Sequence, residues 1–308
     1  MKLRVFDAHC DTAFELWKRN EPLAENSCCV DLQKCADFAA YAQVFAFCSY
    51  AGACPEIDAP QDCLTKPLAR FRAELERNAE RIALAASARE VERLNATGKS
   101  AALLSVEGAE VIGCDPGALE ALREDGFVMT TLTWNADNAL AGCHRSDRGL
   151  TAVGRDFVRE AQRLGIAVDV SHLSEAAFWE LMRVTRRPIL ASHSNARALC
   201  GHTRNLTNEQ LRAVRDTDGV VGLNLYAPFL GENADFSTVL RHLEHLLCLC
   251  GEKHVALGGD LDGGEPLPVG FENLRSYSAL HAFLLARGYD ERLLDRIFYT
   301  NLLEFFKK

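Results

Sequence analysis

Asp7-Ala8-His9-Cys10-Asp11 closes a short apolar run, Leu3-Arg4-Val5-Phe6. Side chains of an extended strand alternate with period two, so His9 and Asp11 share a face and Cys10 points away from them, to pack. An imidazole beside a carboxylate at a strand end is half of a metal site. Four later segments repeat the arrangement, an apolar run followed by a residue able to bind metal or carry protons. Glu107 follows 101–106, His172 follows Val168-Asp169-Val170-Ser171, His193 follows Ile189-Leu190-Ala191-Ser192, and Asp260 follows Leu257-Gly258-Gly259.

Eight apolar, β-rich runs are present, at 3–8, 42–49, 101–106, 128–134, 166–171, 188–192, 220–226 and 254–259. Helical patterns lie between most of them. Phe157, Val158, Ala161 and Leu164 recur at helical spacing before Gly165, and Leu243, Leu246, Leu247 and Cys250 form a stripe ended by Gly251. Thr207-Asn208-Glu209-Gln210 reads as a capping box. Strands alternating with helices imply a parallel sheet with crossovers, and near-continuous apolar strands imply burial on both faces. Eight such units predict an α/β fold, a (β/α)8 TIM-type barrel, as a single domain over 1–308. A doubly wound open sheet is the alternative. The Gly-rich fingerprint expected after its first strand is absent, and Asp7-Ala8-His9-Cys10-Asp11 stands there instead.

The segment 51–98 interrupts the rhythm and reads as an insertion. Its first part, with Pro55, Pro60 and Pro67, is expected to be a loop; its second, from about 68 to 94, a charged amphipathic helix or helix pair. The chain of 308 residues is 48% hydrophobic and 25% charged, ordinary for a globular domain. A net charge of −9 argues against nucleic acid or an anionic membrane as partner. No run has the length of a transmembrane helix, and no basic-then-apolar leader opens the chain. The 12 cysteines include no Cys-x-x-Cys pair, so reduced thiols in a cytoplasmic protein are expected.

Barrel enzymes place their chemistry at the C-terminal ends of strands. His9, Asp11, Glu107, His172, His193 and Asp260 all fall at such ends. Any one of them has a bland reading, as a satisfied core histidine or a helix N-cap; their recurrence at five strand ends does not. Three imidazoles with two or three carboxylates suit Zn²⁺, with Mn²⁺, Co²⁺ or Fe²⁺ as substitutes. One ion would leave ligands over. Two Zn²⁺ per chain, bridged by a carboxylate, use them all and leave positions for water. Glu107 is the natural bridge, as the acidic candidate from the middle strands.

The combination and order of the motifs resemble the membrane (renal) dipeptidase family, zinc peptidases of the amidohydrolase-like barrel superfamily. The carrying motifs are Asp7-Ala8-His9-Cys10-Asp11, Ser105-Val106-Glu107-Gly108, Asp169-Val170-Ser171-His172, Ala191-Ser192-His193-Ser194-Asn195-Ala196-Arg197, Arg204-Asn205-Leu206, Gly258-Gly259-Asp260-Leu261-Asp262-Gly263 and Asn301-Leu302-Leu303. The resemblance implies that His9 and Asp11 bind one zinc, His172 and His193 the other, and Glu107 both. It implies hydrolysis of small peptides, dipeptides L-Xaa-L-Xaa or L-Xaa-D-Xaa, by a metal-bridging hydroxide. Asp260 would handle the proton, Arg204 would hold the substrate's terminal carboxylate and Tyr226 would line the pocket. Dimers are common among such relatives, so the resemblance admits a homodimer and leaves the oligomeric state open.

One position departs from the family. Animal members carry a substrate-contacting His in a Leu-Thr-His context, where this chain reads Leu132-Thr133-Trp134-Asn135. Trp134 does not polarise a carbonyl as His does. Trp134 and Asn135 are therefore expected to contact substrate, with Asn135 or the loop residue His144 supplying the polar group. A loop His is otherwise simply solvated. The rival reading is another metal-dependent hydrolase of the amidohydrolase-type barrel, acting on lactams, nucleobases or phosphoesters; a non-enzymatic scaffold is the second rival. Against the first, His9-Cys10-Asp11 replaces a His-x-His start and Glu107 replaces a bridging lysine. His242 and His245 read as half-exposed helix residues, Asp262 as a cap of the following turn or a group that steadies the site from outside, and Asp7 as a backbone-bonding group near the first strand end.

Overall fold

The computed structural model describes residues 3–49, 57 and 59–308. Its strands are β1 (Arg4–Cys10), β2 (Ala40–Cys48), β3 (Ile82–Leu84), β4 (Ser100–Glu107), β5 (Phe127–Thr131), β6 (Ala167–Asp169), β7 (Leu190–Ala191), β8 (Val220–Leu223) and β9 (Val255–Leu257). All pairings are parallel. β1, β2, β4, β5, β6, β7, β8 and β9 follow one another around a closed eight-stranded barrel, sealed where Asp7 pairs with Leu257. The chain is a single-domain (β/α)8 barrel, and closure of the eight strands leaves no free edge among them.

The ninth strand, β3, was not expected. It lies in the 51–98 segment, between helices Asp62–Arg77 and Ala88–Ala96, and pairs along the first residues of β4. Pro55 lies outside the described residues, and Pro60 precedes the first of these helices. Pro67 corrects the loop expectation, because it sits buried inside that helix. A proline there costs a helix about 3 kcal/mol. Burial of Cys63, Leu64, Leu68, Phe71 and Leu75 on the same helix offsets it. Tertiary packing overrides local propensity here.

β1 contains an irregularity that aims the site. Asp7 pairs with Gln43 but Cys10 pairs with Phe45, so β1 holds one extra residue. Val5 and Cys10 therefore join the same apolar cluster, although five positions apart, while Phe6 and Ala8 join another. Cys10 is fully buried, a packing residue as expected. Phe6 stacks on Phe306 at 5.8 Å in the C-terminal helical segment. Asn301 of that segment donates to the carbonyls of Glu252 (2.7 Å) and Val255 (2.8 Å), tying it to β9. The capping box opening helix Asn208–Asp216 forms as expected between Thr207 and Gln210. Among the described residues no disulfide forms, and no helix is long and apolar enough to cross a membrane.

Candidate metal centre

The ends of β1, β4, β6, β7 and β9 bring six side chains together. Three groups each gather within 4.8 Å: His9 with Asp11 and Glu107, Glu107 with His172 and His193, and His9 with His193 and Asp260. Glu107 joins the first two. Its Oε1 lies 2.8 Å from His172 Nε2 and 3.3 Å from His193 Nε2, and its Oε2 lies 3.6 Å from His9 Nε2. His9 Nε2 is 3.3 Å from Asp11 Oδ2 and 3.8 Å from Asp260 Oδ1. His9 and His193 stack at 3.9 Å. All six residues are buried.

The backbone is constrained at this point. His172 and Asp260 stand at φ +70° and +57°, a region that side chains with a Cβ enter only when the surroundings hold them there. A Cβ on Gly258 would overlap the Ser192 carbonyl oxygen, so β9 approaches the β7 end as closely as backbone allows.

Residues that sequence reasoning passed over hold the imidazoles. The Asp169 carboxylate accepts from the amides of Ser171 and Ser192, both at 2.9 Å, and from the Ser192 hydroxyl. That hydroxyl proton is thereby committed, so Ser192 Oγ accepts from His193 Nδ1 at 2.6 Å and leaves the Nε2 lone pair facing Glu107. Asp169 was visible as the first letter of Asp169-Val170-Ser171-His172, but its reach to the next strand was not. Asn224 carried no sequence signal; its Nδ2 donates to Asp260 Oδ2 at 2.9 Å and to the His193 carbonyl at 3.2 Å. Asp7 accepts from the amides of His9 and Gly259, each at 3.0 Å, and from the Tyr277 hydroxyl, and so binds β1 to β9. Asp262 accepts from Thr12 Oγ1 and the Cys29 amide.

A cavity of about 230 Å³ opens over the cluster. Trp134, Asn135, Arg204 and Tyr226 line it beside Asp11, Glu107, His172 and Asp260, as do His144, His202 and Phe229. Arg204 is 3% exposed, its guanidinium 5.5 Å from the Phe229 ring. Among the described residues Nη2 reaches only the His193 carbonyl, at 3.4 Å, and Nε has no partner. Burial lowers its pKa, opposed by Asp260 and Glu107. His144 corrects the expectation of a solvated loop residue: it is buried and bonded to Asn135 and Thr203. His242 is likewise buried, bridging the Ala196 amide and the Leu230 carbonyl, while His245 is half-buried and bonds Asn208.

These residues fit divalent cations. Three carboxylates and three imidazoles meet around one another, and buried His9 Nδ1 and Asp11 Oδ1 have no partner among the described residues. On its own the cluster holds protons in the place of cations. Burial pushes Glu107 up to about 8, with Asp11 and Asp260 adding to the rise and His9 opposing it. Burial pulls His9 down, but Glu107, Asp11 and Asp260 outweigh it and keep the ring protonated up to about 10. Burial and the neighbouring cations hold His172 and His193 neutral, the form that binds metal.

The profile of "Membrane dipeptidase (Peptidase family M19)" matches residues 1–308. An uncharacterized protein in the pqqA 5′ region of Klebsiella pneumoniae is 35% identical over 262 residues, which cover 80% of this chain and 96% of that one. A metallo peptidase from Rhodobacter sphaeroides, solved with a phosphinate mimic of the dipeptide L-Ala-D-Ala, superposes with a TM-score of 0.90 at 29% identity, over 99% of this chain and 100% of that one. The dipeptidase AC, a metallo peptidase of family M19, superposes with a TM-score of 0.89 at 31% identity over the whole of both chains.

Proposed function

The chain belongs to the membrane dipeptidase family, peptidase family M19, and on that premise we propose that it is a binuclear zinc dipeptidase acting on L-Xaa-L-Xaa and L-Xaa-D-Xaa dipeptides. One observation carries the reading: Glu107 is shared by two groups of candidate metal-binding side chains and lines one cavity with a buried arginine whose Nε has no partner among the described residues. His9 and Asp11 would hold one cation, His172 and His193 the second, and Glu107 both. When bound, the cations would supply Lewis acidity toward the peptide carbonyl and lower the pKa of the attacking water to near neutrality. Asp260, held by Asn224, takes the proton and returns it to the leaving amine. Arg204 pairs with the substrate's free carboxylate in two parallel hydrogen bonds. That grip places the bond to be cut one residue inward and restricts length. Trp134, Tyr226 and the Nδ2 side of Asn135 face the substrate. The phosphinate mimic of L-Ala-D-Ala bound by the Rhodobacter sphaeroides protein supports acceptance of a D residue at the C-terminal position.

The test is reconstitution of chelated protein with counted zinc, assayed on L-L and L-D dipeptides alongside phosphoesters and nucleosides. Dipeptide hydrolysis that needs two equivalents is expected. Full activity with one equivalent, or faster turnover of a phosphoester or nucleoside, overturns the reading. Arg204→Met is expected to lower kcat/KM on free dipeptides about 10- to 100-fold, the worth of a charged hydrogen bond. The same change leaves C-terminally amidated dipeptides unaffected; equal losses on both would remove Arg204 from carboxylate recognition.

Zinc uptake also has a signed pH dependence. Glu107 and His9 carry protons at neutral pH in the metal-free cluster, and cations displace them. Apparent zinc affinity therefore falls as pH drops below about 10, where His9 takes up its proton, and more steeply below about 8, where Glu107 follows, and calorimetry in buffers of different ionisation enthalpy registers proton release. Uptake without proton release contradicts the raised pKa of both groups.

A further inference from the structure

We propose that Asn135 and His144 are positioning residues for His172, forming a fixed relay from Thr203, next to Arg204, to the Nδ1 edge of the His172 ring. This rests on the reading of His172 as a metal ligand. Asn135 Oδ1 lies 3.1 Å from His172 Nδ1 and 3.2 Å from His144 Nε2. A carboxamide oxygen only accepts, so both imidazoles turn an N–H toward it. His172 then carries its proton on Nδ1 and aims the Nε2 lone pair at the centre, where Nε2 is 3.1 Å from His193 Nε2. His144 carries its proton on Nε2, and its Nδ1 accepts from the Thr203 hydroxyl at 2.8 Å.

The backbone ties the same residues together. The His172 carbonyl accepts from the His144 amide at 2.7 Å and from Thr133 Oγ1 at 3.2 Å. Such a clamp is what the left-handed backbone at His172 requires. His144 is 8% exposed and meets the His172 ring edge-on at 6.0 Å, so it is built into the wall. The other two imidazoles are held differently. His193 Nδ1 rests on Ser192, and His9 Nδ1 has no partner among the described residues. The relay thus acts on the His172 end alone and, together with a hydrogen bond from the ring to the Trp134 backbone, fixes the tautomer that a ligating histidine needs.

The experiment is zinc affinity of the purified apoprotein, measured by stepwise chelator competition that resolves the two equivalents. Asn135→Leu keeps the volume and removes the acceptor; it is expected to weaken one equivalent about 10- to 100-fold and leave the other unchanged. Asn135→Asp keeps the acceptor and is expected to restore wild-type or tighter binding. His144→Phe keeps a ring, removes the donor and weakens the same equivalent by a smaller factor. A role in packing alone predicts the reverse order, since Leu fills a half-buried position better than a carboxylate. Leu and Asp variants that both bind as wild type, or that are equally impaired, overturn the relay. A wild-type protein that takes up fewer than two equivalents overturns the binuclear reading, and the relay with it, before any variant is compared.

Discussion

Asp260→Asn is expected to lower kcat on dipeptides about 100- to 10,000-fold, the usual worth of a positioned general acid–base group, while both zinc equivalents stay bound. The substitution isolates proton transfer. Asn fills the same volume and tolerates the left-handed backbone that Asp260 adopts, so no new strain enters. Its side-chain oxygen still accepts from Asn224. What disappears is a group able to take a proton from water and give it to the leaving amine. Steady-state kinetics beside metal analysis decide the matter. Near-normal turnover with full metal content would assign the proton to another group; loss of a zinc equivalent would show that Asp260 serves chiefly as a ligand.

Glu107→Gln is expected to abolish measurable activity and to leave the protein unable to hold two equivalents of zinc. Both Glu107 oxygens are in use, Oε1 beside His172 and His193 and Oε2 beside His9. An amide offers one weak acceptor and no charge, so neither cation keeps its shared ligand. The metal-free variant should nevertheless melt no lower than metal-free wild type near pH 7. The sign follows from the raised pKa: a carboxyl held near 8 in the fold opposes folding once pH exceeds its unfolded value. A neutral isostere removes that opposition. Calorimetry of both apoproteins, then of both with zinc, tests this; a large drop in the apo variant would mean that Glu107 stabilises the fold without metal.

The runs of the sequence located every barrel strand, yet most overshot the strand ends, while 3–8 and 101–106 stopped short of Cys10 and Glu107. The run 128–134 was expected where β5 stops at Thr131, and 220–226 where β8 stops at Leu223. Burial continues past the ladder because the segments that leave each strand are packed over the site, and hydropathy reports burial, not pairing. β3 was illegible for the opposite reason, with three residues between two helices too few to show alternation. His144 looked like any loop histidine because its partners, Asn135 and Thr203, are 9 and 59 residues away.

Which side chains are available, and that His9 and Asp11 lie on one face, can be read from the chain alone, since alternation is local stereochemistry. Which face that is depends on the folded barrel. Continued alternation from Phe6 and Ala8 would place Cys10 with them; the extra residue between Asp7 and Cys10 puts Cys10 with Val5 instead and turns His9 toward Glu107. A bulge of this kind is set by how β1 registers against β2 and closes on β9. Those are long-range pairings that no stretch of the chain encodes alone.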